Sequence, residues 1–91
     1  MKPMFGFAWY RKEQWDRLLS VSSDRDSLEA TFEEWLEIAQ KRFKEFKRGG
    51  HDVRQVDVDV EELIRWCQKR KKPIDGNARS EFAADKLYAG T

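Results

Sequence analysis

A mainly helical α+β domain, four helices with a small two-stranded sheet in the order β-α-α-β-α-α, is the fold this sequence predicts. Three observations carry that prediction. A helical-period apolar stripe runs from Leu28 to Phe46. Two short stretches alternate at period two, one near Phe5–Trp9 and one near Val53–Val60. Capping residues, a Gly-Gly pair and a proline punctuate the rest.

The first element reads MFGFAW. Phe5, Phe7 and Trp9 alternate with small residues, as in a short strand. From about Arg11 the period changes, and Trp15, Leu18 and Leu19 share one face, so a short helix is expected over about Arg11 to Val21. Ser22 to Ser27, SSDRDS, is a polar break rich in capping residues.

The long helix comes next. At about 100° per residue, Leu28, Phe32, Trp35, Leu36, Ala39, Phe43 and Phe46 fall on one arc about 100° wide. Its start lies at Ser27 or Asp26, or later at Thr31, where Thr31 and Glu34 have capping-box spacing. Gly49-Gly50 stops it, because glycine takes the left-handed conformation cheaply. Val56, Val58 and Val60 then alternate with Asp57 and Asp59, as in a half-buried strand. Asp59, with Glu62 three residues on, caps a third helix over about Val60 to Lys71, and Pro73 ends it. Asp75 caps a last helix through about Tyr88. The two strands are expected to pair inside one chain, with pairing across a dimer as the alternative. The small sheet and the last two helices are expected to cover the long stripe, with Trp15, Leu18, Val56, Leu63, Ile64 and Phe82 as covers.

Composition sets bounds on function. The 91 residues make a single domain, and aromatics at 13%, four of them Trp, supply a core from few residues. Charged residues reach 38%, yet the net charge is +1, so nothing global draws the chain to nucleic acid or acidic membrane. Cys67 is the lone cysteine and His51 the lone histidine, which leaves no disulfide framework, zinc cluster or His pair. No signal peptide and no membrane span are recognisable, so a cytoplasmic setting is the expectation. No cofactor or metal is expected. Asp24 and Asp26 lack the oxygen ligands, glycine and distal glutamate of a calcium loop, and capping accounts for them better. Cys67 falls on the Val60–Leu63–Ile64 face, as a buried thiol does, and His51 reads as a solvated turn residue.

Two basic clusters end two helices: Lys41, Arg42, Lys44, Lys47 and Arg48, then Arg65, Lys69, Arg70, Lys71 and Lys72 with Trp66 among them. They read as a nucleic-acid surface, phosphate-binding bases beside a stacking ring, or as charges that complement the helix dipole. Acids open both helices, and Glu37–Lys41 and Glu61–Arg65 form i,i+4 pairs, which favours the second reading. Ile38 and Trp66 each lie about 60° off their helix stripe, as a wider buried face or as anchors for a partner. Arg79 sits within the apolar arc of the last helix and calls for a carboxylate, Asp75 or an acid from another helix.

The order of motifs, Trp15 in a first helix, an Asp-rich break, Thr31–Phe32–Glu33–Glu34–Trp35, a Val/Asp strand after Gly50, Leu63–Ile64–Arg65–Trp66–Cys67, then Asp75–Gly76 and Arg79, resembles that of short uncharacterised bacterial proteins of similar length. The resemblance covers most of the chain and implies no catalytic or binding residue. The expectation is therefore a non-enzymatic protein-interaction domain, self-associating or accessory to a partner, with a nucleic-acid-binding module as the alternative. A Cys67 enzyme is the reading with least support.

Overall fold

The computed structural model of the chain describes residues 3–89. Strand β1 (Met4–Trp9) leads through a 3₁₀ turn (Lys12–Gln14) into helix α1 (Trp15–Val21). A second 3₁₀ turn (Arg25–Ser27) precedes α2 (Phe32–Arg48), and then come β2 (Asp52–Asp57), α3 (Val60–Arg70) and α4 (Gly76–Ala89). The order β-α-α-β-α-α and the two-stranded sheet are those the sequence predicts.

The strands pair within the chain and run parallel, Met4 opposite Asp52 through Trp9 opposite Asp57. Helix length explains the direction. The 17 residues of α2 span about 25 Å, slightly more than a six-residue strand at about 20 Å. One pass of α2 therefore returns the chain to the end where β1 began, and β2 sets out in the same direction.

A parallel sheet needs cover on both faces, and the alternation in β1 supplies two different ones. Phe7 meets Phe43 and Phe46 edge-on, at ring-centroid separations of 5.7 and 5.4 Å, and Trp9 meets Trp35 at 5.4 Å. The α2 stripe is thus covered first by the strand's own aromatics and by Trp15, 5.5 Å from Trp35. Two of the expected covers face elsewhere: Val56 pairs with Ala8 on the opposite face, and Phe82 turns to Trp66. On that opposite face α4 comes very close. A Cβ on Gly6 would lie 3.3 Å from the Ala83 carbonyl oxygen and 3.1 Å from Val56 Cγ2, so glycine here allows backbone to meet backbone.

Beyond the carboxyl ends of the strands, α1 packs on α3, and Leu18 and Leu63 are fully buried there. Arg17 of α1 pairs with Glu61 of α3 at 3.1 Å, and the Gln14 side-chain oxygen accepts from the Val60 N–H.

The caps show what ends each helix. Thr31 Oγ1 accepts from the Glu34 N–H, so α2 begins at the later of the two expected starts and Leu28 lies outside it, still packed on the core. Asp59 caps α3 by accepting from Glu62, and Asp75 caps α4 by accepting from Ala78. Gly50 takes φ 88° after α2, whereas Lys71 takes φ 54° after α3, a left-handed residue with a side chain. The expected helix from Arg11 opens instead as a 3₁₀ turn, and β2 stops at Asp57. Val58 is still buried and donates to the Trp9 carbonyl at 3.0 Å. Val53 is buried on the face opposite to Val56, so the strand is buried on both faces.

Candidate functional site

A groove of about 950 Å³ lies between α3 and α4. From α4 it takes Phe82, Asp85, Lys86 and Ala89, one face at spacings of three, four and seven residues. From α3 it takes Trp66, off the buried stripe of Val60, Leu63 and Cys67, as its 60° displacement predicts. Trp66 is half-buried. Its ring stands edge-on to Phe82 at 5.7 Å, and its indole N–H donates to Asp85 Oδ2 at 3.2 Å.

The second basic cluster is distributed around this ring. The Arg70 guanidinium lies 4.2 Å above the Trp66 centroid, with Nη2 3.8 Å from Asp85. Lys72 stands 5.7 Å from the same ring and is paired with Glu81. Arg65 and Lys69 line the groove without an ion pair to any described residue. Lys71 is the left-handed residue that turns the chain out of α3. Lys86 closes the far wall, 3.2 Å from Glu62 and donating to the Asp57 carbonyl at 2.8 Å.

The other predicted site residues lie elsewhere. Ile38, 39% exposed, and Arg42 line a separate cleft of about 320 Å³ beside Phe7 and Ala8. That cleft shares no residue with the Trp66 groove. Lys41, Lys44, Lys47 and Arg48 are exposed on α2, whose last turns approach Phe7 and His51. The two basic clusters thus end on helices held by different neighbours, α2 by the sheet and α3 by α1 and α4. His51 is exposed, its ring 5.8 Å from Phe5 and 5.4 Å from Phe46.

Three buried groups, Arg79, Tyr10 and Cys67, have structural accounts. The Asp24 side chain makes no cap bond to the 3₁₀ turn that it precedes. It takes both arms of the Arg79 guanidinium, at 2.8 and 2.6 Å, with Ser22 Oγ accepting a third bond at 3.3 Å. Those hydrogen bonds from Arg79 hold the Asp24 carboxyl below its ordinary range despite its partial burial. The acid that Arg79 calls for thus comes from the loop after α1, while Asp75 is occupied as a cap. Beside this pair, burial pushes the Tyr10 phenol up to about 12, with Arg79 pulling back and Asp24 adding to the rise. Cys67 is buried, and its burial raises the thiol further above its ordinary range, which leaves little thiolate to act as a nucleophile.

Among the described residues no group of three or more His, Cys, Asp or Glu could hold a metal ion, and no helix is long and apolar enough to cross a membrane. The sequence singles out Trp66 and the bases around it and assigns Phe82 to the core, but does not single out Asp85 or Lys86. Their i+3 and i+4 spacing from Phe82 on α4 was the available signal. No protein-family model, curated protein or solved structure matches this chain.

Proposed function

We propose that the chain is a non-catalytic protein-interaction domain whose docking surface is the α3–α4 groove, anchored on Trp66. The observation that carries this reading is a half-buried tryptophan against Phe82, lining an open groove of about 950 Å³. Tryptophan in such a setting is over-represented among residues that dominate binding energy. Arg70 covers the ring through a cation–π contact of about 1 kcal/mol at an exposed site, weak enough for an incoming side chain to displace. Arg65 and Lys69, which form no ion pair with a described residue, favour a partner segment with an acidic rim around an apolar face.

The test is a photo-crosslinking residue at Gln68, on the groove wall, in cells of the source organism. A specific adduct lost with Trp66→Ala supports the reading. The absence of any adduct, from a protein strictly monomeric in light scattering, removes it.

A second reading rests on Lys41, Arg42, Lys44, Lys47 and Arg48, which are exposed and form no ion pair with a described residue. Bases free of protein partners are what a phosphate backbone uses. This reading requires salt-sensitive binding of a short duplex or single strand that Lys44/Lys47/Arg48→Glu abolishes. No binding at low salt eliminates it.

A further inference from the structure

The outer edge of β1 is the second feature of this molecule that asks for a partner, independently of the Trp66 groove. The Trp9 carbonyl accepts from Val58. In a parallel ladder backbone groups alternate in direction, so Phe5, Phe7 and Trp9 turn theirs toward β2 and Met4, Gly6 and Ala8 turn theirs away. The same alternation on β2 turns Asp57 outward, and Lys86 takes its carbonyl there at 2.8 Å. At the start of β1 the Tyr88 hydroxyl takes both outward groups of Met4, accepting from its N–H at 3.2 Å and donating to its carbonyl at 2.7 Å. Gly6 and Ala8 remain. Among the described residues nothing bonds their outward N–H and C=O groups. Edge strands are ordinarily blunted by charge, proline or a bulge, and MFGFAW has none of these.

This edge lies in the cleft that holds Ile38 and Arg42. Helix α2 flanks one face of the cleft with Trp35, Ile38 and Arg42, and α4 flanks the other with Gly76, Arg79 and Ser80. A strand about 4.8 Å outside β1 would lie between two helices, as a third strand covered on both faces.

We infer that this cleft takes an extended peptide segment of a partner, added as a strand to β1, with an apolar residue over Ile38 and a carboxylate two residues later at Arg42. Helix and strand spacings set that motif. Four residues of α2 rise about 6 Å, close to the ~6.6 Å between same-face residues of a strand. One helix turn from Ile38 to Arg42 therefore matches positions i and i+2 of the segment. Charge complementarity sets its chemistry. Arg79 is neutralised by Asp24, whereas Arg42 forms no ion pair with a described residue and Glu29 stands on the N-terminal side of α2, so the cleft is basic at one end and acidic at the other. With α2 antiparallel to β1, a segment that runs from cation to carboxylate is antiparallel to β1.

The probe is acetyl-Lys-Thr-Val-Thr-Glu-Thr-amide, followed by amide chemical shifts of the full chain. Gly6 and Ala8 are the β1 positions on the α4 face, so only peptide residues that also face α4 exchange bonds with them. N-methylation of the central threonine between valine and glutamate is therefore expected to weaken binding at least tenfold, and N-methylation of the valine to leave it nearly unchanged. Saturable shifts at Gly6, Ala8 and Ile38, weakened severalfold by the exposed substitution Arg42→Glu or by lysine in place of the peptide's glutamate, support the inference. It is overturned by an absence of shifts at millimolar peptide, by equal binding of both methylated peptides, by shifts centred on Trp66, or by Gly6 and Ala8 shifts that follow protein concentration without peptide.

Discussion

Arg79 carries a charge into the interior. Its side chain is 9% exposed and that of Asp24 25%, so each holds a partly buried charge with the other as its ion-pair partner. Removing one partner strands the other, and Asp24→Asn is expected to cost about 2–3 kcal/mol at neutral pH, toward the low end because Asp24 keeps some contact with water. The pH dependence follows from the depressed Asp24 pKa. Its contribution is complete above the ordinary value of 3.8 and is lost as pH falls from there through the folded value. Urea unfolding should therefore show wild type and Asp24→Asn converging below that pH, and a constant gap would refute the assignment. Tyr10 acts at the other end of the scale. With a folded pKa of about 12 against 10.0, its contribution is complete below pH 10 and is lost as pH rises toward 12, a change of about 2–3 kcal/mol. Tyr10→Phe should remove that alkaline loss while the fold persists, as a urea series read against pH would show.

At the scale of elements, most of the fold was legible because local chemistry decides it. Thr31, Asp59 and Asp75 each accept from the N–H three residues on; the first two are readable from capping-box spacing and Asp75 from its place before the last helix. The stripe on α2 and the alternation in β1 needed only their periods. What the sequence concealed depends on distance along the chain. Asp24 looked like a cap because its partner lies in another element, and the parallel direction of β2 follows from how far α2 travels. Trp66 was flagged by its angle, but whether it faced a neighbour or a groove depended on where α4 lay. The end of α3 gives an element-scale prediction. Lys71 holds a left-handed conformation that costs a side-chain-bearing residue about 1 kcal/mol, while its N–H and that of Lys72 close the helix on Gln68 and Cys67. Lys71→Gly is expected to raise stability by about 0.5–1 kcal/mol, with Lys71→Ala near neutral. Equal effects in thermal unfolding would show that the turn is not under that strain.

For the whole molecule, the decisive arrangement is a two-stranded parallel sheet between α2 and α4. Two strands alone are marginal in water, and the two faces of β1 are not interchangeable. The aromatic face, with Phe7 and Trp9, matches the bulky stripe of α2. The small face, Gly6 and Ala8, accepts only a close helix, and the Ala83 backbone fills that place. Helix α4 also carries Arg79 to Asp24, Phe82 to Trp66 and Tyr88 to Met4, so the last element joins the first strand, the loop after α1 and the third helix. A chain cut after Lys72 would lose all of these at once, leaving Asp24 without its guanidinium and one sheet face open to water. It is expected not to form a reduced version of the fold but to lose near-ultraviolet tryptophan dichroism and bind a hydrophobic dye, as in the compact states that keep helices without fixed packing. Adding a synthetic peptide of residues 73–91 should restore the dichroism if docking of α4 is the missing step. Native-like dichroism from the cut chain alone would show that α2 and the sheet suffice, and would place α4 among the partners of the fold rather than its supports.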